Sequence, residues 1–307
     1  MANGSSWLHR AADSDIWWSF KSSSLTVVAA VVTVLIIAIA FLSPLLAPHT
    51  PFDPGSLSLS DGLKPPAWMT DGDWSFVLGT DDQGRDVLSS IMYGTRLSLV
   101  VGLASVIVSM AIGITLGLVS GYVGGTTDAV IMRIADVQLT FPAILVALLI
   151  DGVVRGLISV KRHDEIALFV IIGAIGLSFW VQYARTIRGS VLVEKNKEYV
   201  LAARVIGLSP TLIMVRHVLP NVTGPVLVIA TINLGLAIIS EATLSFLGVG
   251  LPSTQPSLGT LIRLGNELLQ SGEWWITVFP GVTLAALVLA VNLLGDWLRD
   301  ALNPKLR

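Results

Sequence analysis

The chain has 307 residues, 53% hydrophobic and 13% charged, against roughly 25% charged in an ordinary soluble domain, so lipid is its main solvent. A formal net charge of −2 gives no case for nucleic acid as a partner. The absence of cysteine removes disulfides, thiolate metal sites and cysteine nucleophiles together.

Residues 1–24 read as a soluble tail. The apolar run from Leu25 to Leu46 is longer than a signal-peptide core and lacks a small-residue cleavage site. It follows Asp13, Asp15, Trp17 and Trp18 rather than a basic leader, so it reads as a retained first transmembrane helix over 25–47. A spanning helix needs about 20 mainly apolar residues, because a rise of about 1.5 Å per residue must cross roughly 30 Å of hydrocarbon. Segments 25–47, 98–120, 131–150, 166–187, 221–247 and 277–297 meet that measure. The third carries Arg133, Asp136, Pro142 and Asp151, which predicts a kinked span. Runs this long satisfy their own backbone hydrogen bonds in lipid only as helices, so the fold class is all-α, a polytopic membrane bundle of six transmembrane helices.

Between the first two spans, residues 48–97 form a long polar loop. Pro48, Pro51, Pro54 and Lys64-Pro-Pro66 disfavour helix in its first part. From Thr80, Thr-Asp-Asp-Gln-Gly-Arg-Asp86 supplies a helix cap and an acidic first turn. Val87, Leu88, Ile91 and Met92 then form one apolar stripe, predicting a short surface helix that leads into the second span. Arg85 and Asp86 read two ways, as contacts for an external binding protein or as an intraloop ion pair and helix cap. Within the second span, Gly113, Gly117 and Gly121 recur at the small-xxx-small spacing that lets helix backbones approach closely, read as packing inside the bundle.

Residues 98–297 form the core, interrupted by a second polar stretch at 188–220. Its first half suits helix and ends at Gly207, a residue able to take the left-handed conformation. Ser209 is a good N-cap and Pro210 fits a first helical position, so a second helix starts at once. An interfacial hairpin lying on lipid is one reading. Against it, Ala202 and Ala203 give no anchoring bulk and suit insertion into a tight protein cleft. Residues 298–307 are a short tail. Of 19 lysines and arginines, seven fall on one side (Lys64, Arg85, Arg96, Arg155, Lys161, Arg162, Arg263) and the other twelve share the side of both termini. The basic bias makes that side cytoplasmic.

Ala202-Ala203-Arg-Val-Ile-Gly207 followed by Leu219-Pro220 resembles the cytoplasmic loop of ABC importer permeases that docks on the ATPase subunits. It departs from the family pattern at Leu201, where the loop's glutamate would stand, and at His217, where isoleucine is usual. Glu198 lies three residues before that leucine, in a Glu-Tyr-Val lead similar to the dipeptide and oligopeptide branch. Leu78-Gly-Thr-Asp-Asp-Gln-Gly-Arg-Asp86, Gly121-Tyr-Val-Gly-Gly125, Glu241-Ala-Thr-Leu-Ser-Phe-Leu-Gly248 and Asn292-Leu-Leu-Gly-Asp296 resemble the C-type permease of that branch. The resemblance implies a type I importer permease fold in a bacterial cytoplasmic membrane. It also implies a second homologous permease, two ATPase subunits and an extracytoplasmic substrate-binding protein as partners. Glu198, Ala202, Ala203, Gly207, Leu219 and Pro220 are then the coupling residues. The chain has no Gly-x-x-x-x-Gly-Lys-Ser/Thr loop, so ATP and magnesium are expected on the ATPase subunits and no cofactor on this chain.

Glu241 is an ionisable group within the fifth span, read as lining the translocation path together with Asn233 or as a structural hydrogen bond between helices. His9, His49, His163 and His217 show no metal-ligand spacing. An ion-coupled secondary transporter is the main rival, since six helices and a buried acid could run without ATP, but no inverted repeat is visible. Peptides are the expected cargo, with nickel chelates, glutathione and opines as alternatives.

Overall fold

The computed structural model describes residues 15–302 apart from 54, 56, 159, 253 and 256. His9, Arg10, Lys305 and Arg307 lie outside the described residues, as do the side chains of Lys161, Arg162 and His163. Apart from an isolated antiparallel bridge between Thr80 and Asp86, regular structure among the described residues is helical.

Among the described residues, five helices are long and apolar enough to cross a membrane. They are α1 (Ser24–Phe41), α2 (Val87–Val123), most of α5 (Val160–Glu194), α7 (Gly224–Phe246) and α9 (Trp275–Leu302). The expected surface helix ahead of the second span is corrected: it is the first turns of α2, a single helix of 37 residues. Gly94 is the weakest former between Met92 and Ser98, and one glycine costs only about 1 kcal/mol relative to alanine, too little to stop a helix packed on both sides.

The third predicted span is broken rather than kinked. Helices α3 (Gly125–Leu139) and α4 (Ala143–Leu157) meet at 96°. Pro142 lacks an N–H and pushes Phe141 out of the helical region, so the ladder stops there. Gln138 fastens the corner to α5 by donating to the Leu177 carbonyl and accepting from Trp180 Nε1 at 2.6 Å.

Contacts between α2 and α5 settle what the bent pair does. Ser109 Oγ donates to the Gly176 carbonyl at 2.9 Å, Gly113 abuts Tyr183, Gly117 abuts Ala184 and Ile187, and Gly121 abuts Val191. The paired numbers rise together, so the two helices are parallel. Residues 124–159 must therefore return across the layer, and the crossings number six. Two other pairs are antiparallel: Ser98 and Gly102 of α2 meet Glu241 and Ile238 of α7, and Gly235 and Thr231 of α7 meet Asn292 and Gly295 of α9. Phe20 packs edge-on against Trp297 at 5.1 Å, which puts the N-terminal helix Asp15–Ser22 and the end of α9 on one side. That side is called the termini side below. On the far side, the amphipathic α8 (Leu258–Leu268) wedges between α7 and α9, with Gly259 on the Ala242 backbone and Gly265 on Ile276 and Thr277.

Candidate functional site

On the termini side the chain between α5 and α7 folds into a hairpin. Helix α6 (Glu198–Val205) ends in a Schellman motif, with the Leu208 N–H donating to the Ala203 carbonyl at 3.1 Å and the Gly207 N–H to the Arg204 carbonyl at 3.0 Å. Gly207 stands at φ +86°, the left-handed conformation the motif requires and glycine takes without steric cost. The chain restarts at Ser209, whose hydroxyl accepts from Leu212 N, with Pro210 in the first helical position. Residues Met214–Val218 then widen into a π turn. Pro220 accounts for it, because its ring excludes the ordinary carbonyl one turn back and it brings no N–H. Asn221 Nδ2 partly makes good the loss by donating to the His217 carbonyl at 2.7 Å.

The hairpin has two faces. Val200, Ala203, Ile213, Val218 and Val222 are buried in one cluster with Leu118 of α2, Tyr183, Ile187 and Val191 of α5, and Val226 of α7. Leu201, Ala202, Val205, Ile206, Leu212 and Val215 are exposed on the other, Val205 at 88% and Ile206 at 76%. A side chain as apolar as valine or isoleucine left that open marks a contact surface.

Polar ties hold the inner face to the helix ends. Lys195 Nζ donates to the Gly121 carbonyl at 2.7 Å, placing a cation at the C-terminus of α2, where the helix dipole favours it. Arg188 grips Asp128 of α3 with two hydrogen bonds, Nε to Oδ1 at 2.5 Å and Nη2 to Oδ2 at 2.6 Å, and Ser120 also donates to Asp128. Arg204 lies over the Tyr122 ring, 5.0 Å from its centroid. Tyr199 donates to Glu194 and accepts from Asn221 at 3.1 Å. Burial of the phenol, and then the Glu194 carboxylate beside it, push its pKa up to about 12.

Of the six residues predicted for coupling, the hairpin brings all together but does not use them alike. Ala202 and Glu198 are exposed, and Glu198 sits in the first turn of α6, where a carboxylate complements the helix dipole. Gly207 makes the turn, Leu219 packs half-buried against the cluster, and Pro220 is exposed. The expectation that both alanines face a partner is corrected for Ala203, which is 4% exposed and points into this chain's own cluster. Helical spacing explains it, since Ala203 follows Val200 by three residues and shares its face.

Glu241 lies at the far end of α7, fully buried. Its carboxylate accepts from Ser98 Oγ of α2 at 2.8 Å and from Ser245 Oγ at 2.7 Å, and Ser98 Oγ in turn accepts from Leu258 N at the start of α8. The carboxylate thus joins three helices, the hydrogen-bonding arrangement weighed above. Asn233 is also buried, beside Tyr183.

Arg85 and Asp86 are 3% and 2% exposed. Arg85 Nε pairs with Asp81 Oδ2 at 2.6 Å, and Asp86 Oδ2 caps α2 by accepting from Ser89 N at 2.8 Å. Neither side chain is presented to an external protein. The binding-protein reading is corrected in favour of the ion pair and cap, because Trp275 and the Thr80–Asp86 bridge close the loop over them. On the open part of this loop, Asp73 is held below the usual carboxylate range first by the Ser75 backbone N–H. Asp61 raises Lys64.

Sequence reasoning missed the Arg188–Asp128 grip and the Lys195 tie. Unlike charges at the ends of neighbouring spans were the available signal: Arg188 and Lys195 stand in the 188–220 stretch and Asp128 three residues past Gly125.

A family described as the binding-protein-dependent transport system inner membrane component matches residues 113–307, and the N-terminal transmembrane domain of oligopeptide transport permease C matches residues 14–66. The chain belongs to this family of importer permeases. It is a multi-pass protein of the inner membrane and a permease subunit of an ABC importer. It is 39% identical to a dipeptide transport system permease protein of Escherichia coli K12, over 95% of this chain and 93% of that one. Identity is 37% to a dipeptide transport system permease protein of Haemophilus influenzae, with 95% of both chains covered. A glutathione transport system permease protein of Pectobacterium atrosepticum is 36% identical, over 95% and 91%. The fold is similar to a solved inward-facing MetNI methionine ABC transporter, with TM-score 0.54 and 18% identity over 70% of this chain and 96% of that one.

Proposed function

We propose that this importer permease forms half of the path for short peptides, and that the 188–220 hairpin receives a separate ATPase subunit on the cytoplasmic side. The carrying observation is the hairpin's division into an inner face packed on α2, α5 and α7 and an outer face of exposed Leu201, Val205, Ile206 and Val215. The relatives' names support the cargo: dipeptides, and glutathione, which is itself a tripeptide. A second permease would complete the path, a binding protein outside would deliver cargo, and ATP with magnesium would sit on two ATPase subunits. The excess of lysine and arginine on the termini side supports placing both termini in the cytoplasm. Closure of the ATPases would then push the hairpin, and the helices packed on it would carry the motion into opening or closing of the path. The match to a binding-protein-dependent transport family, not the burial of Glu241, weighs against an ion-coupled mechanism.

With no native cysteine, Val205→Cys gives a single thiol for cross-linking in the assembled complex. The expected result is a cross-link to the ATPase subunit whose yield changes with nucleotide. Labelling of that thiol by an impermeant reagent in intact cells would sink the orientation. Failure to cross-link, with the thiol accessible from the cytoplasm, would sink the docking.

A further inference from the structure

On the far side, a groove of about 370 Å³ runs along α2, lined by Phe52, Tyr93, Arg96, Leu97, Val100 and Gln255. We propose that it is a phospholipid site, with the phosphate on Arg96 and an acyl chain along Val100, Leu103 and Ile107. Arg96 has no ion pair among the described residues. Its recorded contact is with the Phe41 ring, 6.0 Å from the guanidinium carbon, a weak hold for a cation beside hydrocarbon. With no carboxylate paired to it among the described residues and apolar side chains beside it, the Arg96 guanidinium leaves a charge to be met from outside the chain.

Polarity is graded along the groove. Gln255, Tyr93 and Arg96 line the groove with Phe52, which meets Tyr93 edge-on at 5.7 Å, and on α2 Tyr93 and Arg96 precede Val100 from the far side. Successive turns of α2 toward the membrane centre then expose Val100, Leu103 at 53% and Ile107 at 52%, over a rise of about 10 Å from Val100. A polar head above an apolar tail is the shape of an amphiphile in its leaflet, with the arginine and aromatic residues at headgroup depth. A bound peptide would leave its backbone polar groups unpaired along that apolar stretch. Phe41, which meets Arg96, is exposed at the end of α1, so apolar surface borders the groove on that side. The leaflet is the outer one under the orientation proposed above. The site itself depends only on α2 crossing the membrane.

Native mass spectrometry of the whole complex, purified in mild detergent and supplied with phosphatidylglycerol, tests this. Wild type should retain one phospholipid more than Arg96→Gln, which removes the charge, and one more than Val100→Trp, which fills the groove while leaving Arg96 in place. Added phosphatidylglycerol should raise the melting midpoint of wild type and of neither variant. Equal lipid retention in all three overturns the proposal. So does unchanged lipid retention in Arg96→Gln with a raised KM for peptide, which would assign the arginine to cargo. Loss of the second permease from both variants, with lipid retention unchanged, would make the groove a subunit seam instead.

Discussion

Replacing Gly117 by alanine tests the contact on which the crossing count rests. An alanine Cβ at this position would press on the Ala184 carbonyl oxygen and lie 2.9 Å from Ile187 Cβ and 3.0 Å from Ala184 Cα. Carbon atoms in unstrained contact sit about 3.5–4.0 Å apart, so α2 and α5 must part by about 0.5–1 Å at the point where Gly113 and Gly121 also hold them close. Overpacking of this kind costs about 1–3 kcal/mol. Gly189→Ala, on the partner helix α5, is the control, since a Cβ there meets nothing within 4 Å. Both changes gain the same helix propensity, about 1 kcal/mol, so the difference between them isolates the packing. At about 2–4 °C per kcal/mol, Gly117→Ala should melt several degrees below Gly189→Ala in the purified complex, followed by tryptophan fluorescence. Equal midpoints would refute the close parallel pairing of α2 and α5, and with it the return of α3 and α4 across the membrane.

Ala202→Arg should leave the melting midpoint near wild type while ATPase-subunit retention and substrate-stimulated ATP hydrolysis fall. Ala203→Arg buries an unpaired cation in the apolar cluster and should lower the midpoint itself; the opposite assignment of effects would reverse the two faces of α6. Gly207→Val forces a β-branched residue to φ +86°, costing at least about 1–2 kcal/mol at the turn. Transport should drop with membrane insertion unchanged, and full activity would show that the turn tolerates side chains. Equilibrium dialysis of the isolated chain against ATP and magnesium should show no saturable binding, the outcome that assigns nucleotide to the partners.

Much of this architecture was open to a reader of the sequence because lipid imposes one rule on every span. Long apolar runs have no choice but helix, and Ser209-Pro210 and Gly207 mark their turns by local chemistry alone. Long-range geometry was less legible. Nothing local says that Ser109, Gly113, Gly117 and Gly121 meet Gly176 through Val191 in parallel, though the four-residue spacing did promise a close approach. The break at Phe141-Pro142 looked like a kink, because proline inside a membrane helix often bends it, and the 96° corner depends on Gln138 reaching Leu177 and Trp180 some 40 residues on. Arg85 and Asp86 look like surface charges by composition. Their burial follows from Trp275, whose indole donates to the Thr80 carbonyl 195 residues away.

Glu241 has a mechanical consequence that its place in an apolar span did not reveal. Helix α7 is tied to α2 at its far end by the Ser98 hydrogen bond, whereas its termini-side end joins the hairpin through the π turn at Met214–Val218 and Pro220, where the backbone ladder is incomplete. On the docking proposed above, force on the hairpin would swing α7 about the Glu241 end rather than translate it. Glu241→Gln keeps the volume but presents an amide N–H where one carboxylate oxygen stood, so Ser98 or Ser245 must turn from donor to acceptor and its hydroxyl proton loses its acceptor, at about 1–3 kcal/mol for a buried group. The expected outcome is a looser pivot: ATPase subunits retained, ATP hydrolysis preserved, and fewer peptides moved per ATP. Glu241→Gln with wild-type melting and a wild-type transport ratio would remove the pivot from the mechanism.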